Sequence, residues 1–252
     1  MTRRDPLATA ERLWSQRYPS ASVLFCGGSV VRGQGFPSSD LDVVVIFAHV
    51  ENAWRESLLF EGWPVEVFAH DSETLAYFVA EDGKRRIPSL AHMISEALVI
   101  PTITPLSQDI QLWARGVLAA RPEVPSSASL AEDRYWLTDT LHDFRDDRSA
   151  RELRAIACKL YPRLCRFVLE TRGHWLGSEK MLPRLVEQAA PELGEAIEGA
   201  FERFFTTGDR SDALRVAQQI LEPFGGELFD GFRSDAPASF RSTNAPWALG
   251  AP

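Results

Sequence analysis

Asp40 and Asp42 stand two residues apart at the head of an apolar, β-branched run over residues 41–47. Such a run reads as a buried strand. Alternate residues of a strand face the same way, so the two carboxylates share a side. Carboxylates a few Å apart repel each other, and a cation between them removes that cost. Mg²⁺ takes such oxygen ligands at about 2.0–2.1 Å. Glu66 lies between Val65 and Val67 in a second strand-like run over residues 63–69. If that strand pairs beside the first, Glu66 is a third carboxylate at the same place. Three carboxylates can hold two metal ions about 3.5–4 Å apart, the arrangement that clamps an in-line displacement at phosphorus.

Upstream, Gly27-Gly28-Ser29 falls between a short apolar strand at residues 22–26 and one or two helical turns at residues 30–33. Glycine lets a backbone approach a ligand closely, and N–H groups at a helix start favour phosphate. The Ser29 hydroxyl and Arg32, one turn on, can reach the same anion. Each part alone has a bland reading: a turn, a strand cap, a solvent-facing glutamate. The order and spacing of the three together carry the weight.

That order resembles the signature of the polymerase β-like nucleotidyltransferase superfamily: Gly28-Ser29, ten residues, then Asp40-Leu41-Asp42, with Arg32-Gly33, Ser39 and a later Glu66 in matching places. The resemblance covers about residues 22–70. It implies that Asp40 and Asp42 bind the metals, with two Mg²⁺ ions expected. Glu66 would complete the site or take a proton from the attacking hydroxyl, and Gly28 and Ser29 would hold the β- and γ-phosphates. The later helices resemble, more loosely, the substrate-binding bundles of small bacterial members such as the aminoglycoside nucleotidyltransferases. The segments Arg134 to Asp139 and Lys180 to Arg184 resemble stretches of uncharacterised bacterial nucleotidyltransferase-domain proteins. The implied activity is transfer of a nucleoside monophosphate, AMP from ATP, to a hydroxyl of a small molecule with release of pyrophosphate. A protein or an RNA end as acceptor, and a binding module without catalysis, are the alternatives.

The elements that must position these residues form an α+β chain. An N-terminal α/β domain with a mixed sheet is expected over residues 1–95, a helical substrate-binding domain over 96–230, and a loosely ordered tail over 231–252. Asp5-Pro6 reads as an N-cap followed by proline at the first helical position, opening a helix to about Tyr18. His70-Asp71-Ser72 reads as a strand exit and cap for a helix to about Glu81. Further helices are expected near 88–98, 107–120, 130–146, 150–171, 179–189, 192–205 and 210–222. Pro162 should kink or divide the fourth of these.

Within the helical part, Lys180 is a candidate for the nucleotide phosphates, with Arg184 one turn on. Asp139 and Asp143 are candidates for a cationic acceptor, expected in a cleft between the two domains. A solvated helix face is the competing reading for both pairs. His70-Asp71 and His142-Asp143 lack further metal-ligand spacing, and Gly225-Gly226 reads as a helix terminator. Cys158 and Cys165, seven apart, read as one buried helix face.

Composition sets the outer bounds. The chain has 252 residues, 45% of them hydrophobic, and a formal net charge of −8. An acidic chain is poorly suited to backbone-driven nucleic-acid binding, so nucleic acid is not the expected partner. No stretch approaches the roughly 20 apolar residues of a membrane span. Three cysteines without metal-site spacing suit a reducing compartment, and the cytoplasm is the expected location. The sequence leaves the oligomeric state open.

Overall fold

The computed structural model describes residues 5–241. Helix α1 (Pro6–Arg17) starts as its cap predicts, with the Ala8 amide donating to the Asp5 carboxylate at 3.0 Å. It is followed by β1 (Val23–Gly27), the single turn α2 (Gly28–Val31), β2 (Leu41–Ile46), β3 (Trp54–Phe60) and β4 (Trp63–His70). Then come α3 (Ser72–Lys84), α4 (Ser89–Ser95), the short strand β5 (Leu98–Ile100) and α5 (Pro105–Ala119). The remaining α-helices are α6 (Ser127–Arg145), α7 (Ala150–Glu170), α8 (Leu182–Ala189), α9 (Pro191–Thr207) and α10 (Ser211–Leu221). The class is α+β. No helix among the described residues is long and apolar enough to cross a membrane.

The five strands form one mixed sheet in the order β3-β4-β2-β1-β5. β2 and β4 run parallel, and the other neighbours are antiparallel. β2 is central and nearly all buried, because apolar groups cover both of its faces. One face packs Leu24, Cys26, Leu41, Val43, Val45, Val65 and Val67 against Ala10 and Leu13 of α1. The other packs Val23, Phe25, Val44 and Ile46 against α3, α4 and α5 through Leu75, Val79, Leu90, Ile94 and Ala114. Asp42 and Glu66 belong to this second face by strand alternation, at its open end.

Two strands escaped the sequence reading. β3 is an edge strand whose polar residues, Arg55, Glu56 and Ser57, blur the apolar alternation. It is joined to β4 by the two-residue turn Glu61-Gly62, whose φ angles of 49° and 85° are those of the primed hairpin turns. β5 has three residues, too few for a periodic signal, and pairs with β1 where a helix was expected to continue to residue 98.

The chain divides into two compact units that differ from the expected boundaries. Residues up to Val124 together with Leu169–Ala190 form one, and Pro125–Val168 with the chain from Pro191 onward form the other. The first extends past residue 95 because β5 completes the sheet and α5 packs on it. It also regains residues 169–190. The Leu176 amide donates to the Arg86 carbonyl at 2.7 Å, and the Trp175 indole donates to the Leu118 carbonyl at 3.1 Å.

The second unit is helical. Phe144 meets Phe204 edge-on at 4.9 Å, within a core that includes Leu137, Leu141, Leu160, Leu164, Phe201, Val216 and Ile220. α7 runs unbroken through Pro162, so the expected division does not occur. Cys158, four residues earlier, is exposed, so the carbonyl that loses its donor lies where water can serve it. Cys158 therefore does not share the buried face of Cys165. The segment Arg134 to Asp139 has a structural task here. Arg134 donates to the Gly226 carbonyl at 3.0 and 3.1 Å, Thr138 accepts from the Leu228 amide at 2.9 Å, and Tyr135 stacks on Phe232 at 4.1 Å. The start of the expected tail is thus held to α6. Its last part, residues 242–252, lies outside the described residues.

Candidate active site

The site begins with a row of residues across the sheet. Gly27 of β1 lies opposite Asp42 of β2, Asp42 opposite Glu66 of β4, and Glu66 opposite Ser57 of β3. The parallel pairing of β2 and β4 therefore brings Glu66 beside Asp42, as the sequence reading required. Ligand oxygens of Asp40, Asp42 and Glu66 all lie within 4.8 Å of one another. An all-oxygen, triply acidic donor set of this size fits a hard divalent cation.

The electrostatics agree with that fit. Burial pushes the Asp42 carboxyl up to about 6, and the neighbouring charges of Asp40 and Glu66 push the same way. Lys180 and Arg32 oppose the rise. Without a cation the cluster resists carrying its full negative charge.

The Gly-Gly turn is shaped by its neighbours on both sides. A Cβ on Gly27 would lie 2.3 Å from the Met93 carbonyl oxygen of α4. A Cβ on Gly28 would lie 2.2 Å from an Asp42 carboxylate oxygen, and the φ of Gly28 is 85°. Ser29 follows, its hydroxyl 3.5 Å from that of Ser39. Ser39 in turn accepts from the Phe36 amide at 2.8 Å, which fixes the loop leading to Asp40. Arg32 is exposed. It lies close enough to affect both Asp42 and His92, whose pKa is lowered first by burial and then by Arg32.

Lys180 sits in a 3₁₀ turn, Glu179–Met181, just before α8. The structure moves it from the expected helical domain to the unit that holds the carboxylates. The Arg184 guanidinium reaches the Gln34 side chain at 3.4 Å, so α8 touches the loop between Ser29 and Asp40. Asp139 and Asp143 lie in the other unit. Asp143 is paired with Arg148, whereas the Asp139 side chain has no hydrogen bond or ion pair among the described residues.

Arg55 was not anticipated from the sequence. Its terminal Nη2 lies 2.7 and 2.8 Å from the two Glu66 oxygens. The signal was present in the Glu61-Gly62 turn. Counting outward from it pairs Phe60 with Trp63 and Ser57 with Glu66, which sets Arg55 on the diagonal from Glu66.

The other tempting groups have structural tasks. Asp71 caps α3 in a capping box with Thr74. Amides of Thr74 and Val50 hold its carboxyl down to about 2. His142 faces Glu227 at 3.3 Å rather than a metal cluster. All three cysteines are free, and burial pushes the Cys26 and Cys165 thiols up to about 12, away from reactivity.

Residues 7–89 match the family model described as a nucleotidyltransferase domain. That stretch of the protein is thus a nucleotidyltransferase domain of the polymerase β-like superfamily. The crystal structure of a nucleotidyltransferase-like protein from Exiguobacterium sibiricum 255-15 is similar over 86% of this chain and 74% of that one, at 14% identity and a TM-score of 0.45. No curated protein matches the chain.

Proposed function

We propose that the protein transfers a nucleoside monophosphate, AMP from ATP, to a hydroxyl of a small molecule. The observation that carries this reading is the convergence of Asp40, Asp42 and Glu66 beside the Gly28-Ser29 turn. These three carboxylates would hold Mg²⁺, two ions by the usual geometry of such sites. A bound divalent ion would polarise the phosphoryl oxygens and ease deprotonation of the attacking hydroxyl. Gly28 and Ser29 would receive the β- and γ-phosphates, while Arg32 and Lys180 supply positive charge on that side. These fixed charges stabilise the charge that grows on the leaving oxygen. The acceptor oxygen forms a bond to the α-phosphorus as the bond to the bridging oxygen breaks. Pyrophosphate leaves, and the hydroxyl proton passes to Glu66 or to water. The engagement of both Glu66 oxygens by Arg55 favours a ligand role for Glu66.

The net charge of −8 supports a non-nucleic-acid acceptor, and Asp139 is the side chain proposed to meet a cationic one. The experiment is direct. The protein is incubated with each labelled nucleoside triphosphate, Mg²⁺ and a panel of metabolites and aminoglycosides. Label in a product of small mass is expected. Label retained on protein or RNA would move the acceptor to those classes, and no turnover with any triphosphate would overturn the reading.

A further inference from the structure

Arg55 lies on β3, the edge strand, outside the signature that singles out the carboxylates. Its Nη2 donates to both Glu66 oxygens, at 2.7 and 2.8 Å. The guanidinium also lies over the Phe68 ring, 5.0 Å from its centre. Phe68 is opposite Arg55 in the β3–β4 register and two residues from Glu66, so all three side chains share one face. Arg55 is therefore fixed at two points, by an aromatic face and by the carboxylate it chelates.

The pair is a poor candidate for a stability element. The Arg55 side chain is 60% exposed, and pairs of that kind contribute little to folding. Its place relative to the other carboxylates is what distinguishes it. Glu66 is the member of the cluster on the side away from Gly28, and Arg55 sits beyond it. An ionised carboxylate has about four lone-pair sites. Arg55 takes one from each oxygen and leaves the others free. It thereby fixes the rotamer of Glu66, whose oxygens belong to a set of three carboxylates within 4.8 Å of one another.

We propose that Arg55 is a positioning residue of the metal centre: it holds Glu66 in ligating orientation for the ion. This rests on the proposed metal-dependent reaction. Arg55 touches neither nucleotide nor acceptor in this scheme and acts through Glu66 alone. A positioning role shows only when the ion is bound, and that distinguishes it from a merely structural one.

The test compares the wild-type chain with Arg55→Met and with Glu66→Gln, each melted in EDTA and in saturating MnCl₂ without nucleotide. In EDTA, Arg55→Met should melt within about 1 °C of wild type, as an exposed pair implies. In MnCl₂ a gap of about 2–4 °C should open, because an unheld Glu66 binds the ion less tightly and a weaker ligand stabilises the fold less. In the Glu66→Gln background, adding Arg55→Met should change neither melting point. A deficit of equal size with and without Mn²⁺ would overturn the proposal and leave the metal centre standing. A wild-type chain whose melting point ignores Mn²⁺ and Mn²⁺–ATP alike would overturn both. If Arg55→Met does not fold, Arg55→Lys carries the test. It keeps the charge without the planar fork and should show a smaller gap that likewise opens only in Mn²⁺; no gap in Mn²⁺, or one of the same size in EDTA, would overturn the proposal.

Discussion

Asp42 and Gly28 share one space: a Cβ on Gly28 would stand 2.2 Å from an Asp42 carboxylate oxygen. In the proposed scheme the glycine therefore serves the metal side of the site as well as the phosphate side. Its missing side chain is where the carboxylate lies, so the turn and the ligand set each other's position.

Gly28→Ala should accordingly do more than impose a backbone cost. The φ of 85° alone costs roughly 1–2 kcal/mol for a non-glycine residue. Gly33 is the control, because its φ is also positive, at 69°, but a Cβ there meets nothing within 4 Å. Both alanine variants should melt lower. Gly28→Ala should also lose Mn²⁺ binding and turnover, while Gly33→Ala keeps both. Equal turnover in the two would show that the Asp42 contact is unimportant.

Asp42 also predicts a pH dependence. Its folded pKa, about 6, lies above the ordinary value of 3.8. Between those values the folded chain binds more protons at this site than the unfolded chain does. This group's contribution to stability therefore falls as pH rises from about 4 to about 6 and is level above that. Melting in EDTA across this range should show a slope that flattens in Asp42→Asn. The stabilisation by Mn²⁺ should fade as pH falls through 6, because metal and proton compete for the same oxygens. A metal response independent of pH between 5 and 7 would contradict the assignment.

Lys180 acts on Asp42 from its 3₁₀ turn, so it lies within electrostatic reach of the cluster. Lys180→Ala should weaken Mg²⁺–ATP binding by about tenfold or more, the loss of one charge-assisted contact. It should also move the Asp42 titration upward, because a charge that lowers this pKa is removed. Calorimetric titration with ATP and the pH-dependent melt check the two effects separately. Unchanged ATP affinity would return Lys180 to a solvated basic face.

Asp139→Ala should leave ATP affinity as in wild type and raise KM for a cationic acceptor. Asp143→Ala should have the smaller effect on the acceptor, since Arg148 already engages that carboxylate. Steady-state kinetics with the acceptor from the labelled-product screen would decide it. A rise in KM for ATP would contradict the division of roles.

Much of the catalytic unit was legible in the chain because its signals are local. Asp40 and Asp42 announce themselves by alternation, Glu66 by its place between two valines, and the helix starts by Asp5-Pro6 and the Asp71-Thr74 box. What stayed hidden depends on long-range pairing. Arg55 reaches Glu66 only through the β3–β4 register, and β3 is an edge strand with too little apolar alternation to stand out. Lys180 was assigned to the wrong unit because the chain returns at Leu169, and backbone bonds such as Leu176 to Arg86 have no sequence signature. Pro162 failed as a breaker because a proline removes one bond from a helix whose other turns are packed.

The central claim is that the three carboxylates hold metal for nucleotidyl transfer, and Asp42→Asn tests it most directly. With labelled ATP, Mg²⁺ and the accepted substrate, the wild-type chain should release pyrophosphate in step with labelled product. Asp42→Asn should give the wild-type circular dichroism spectrum and lose at least about a hundredfold in rate, the scale on which loss of electrostatic stabilisation acts. A folded Asp42→Asn chain that turns over at the wild-type rate would contradict the account.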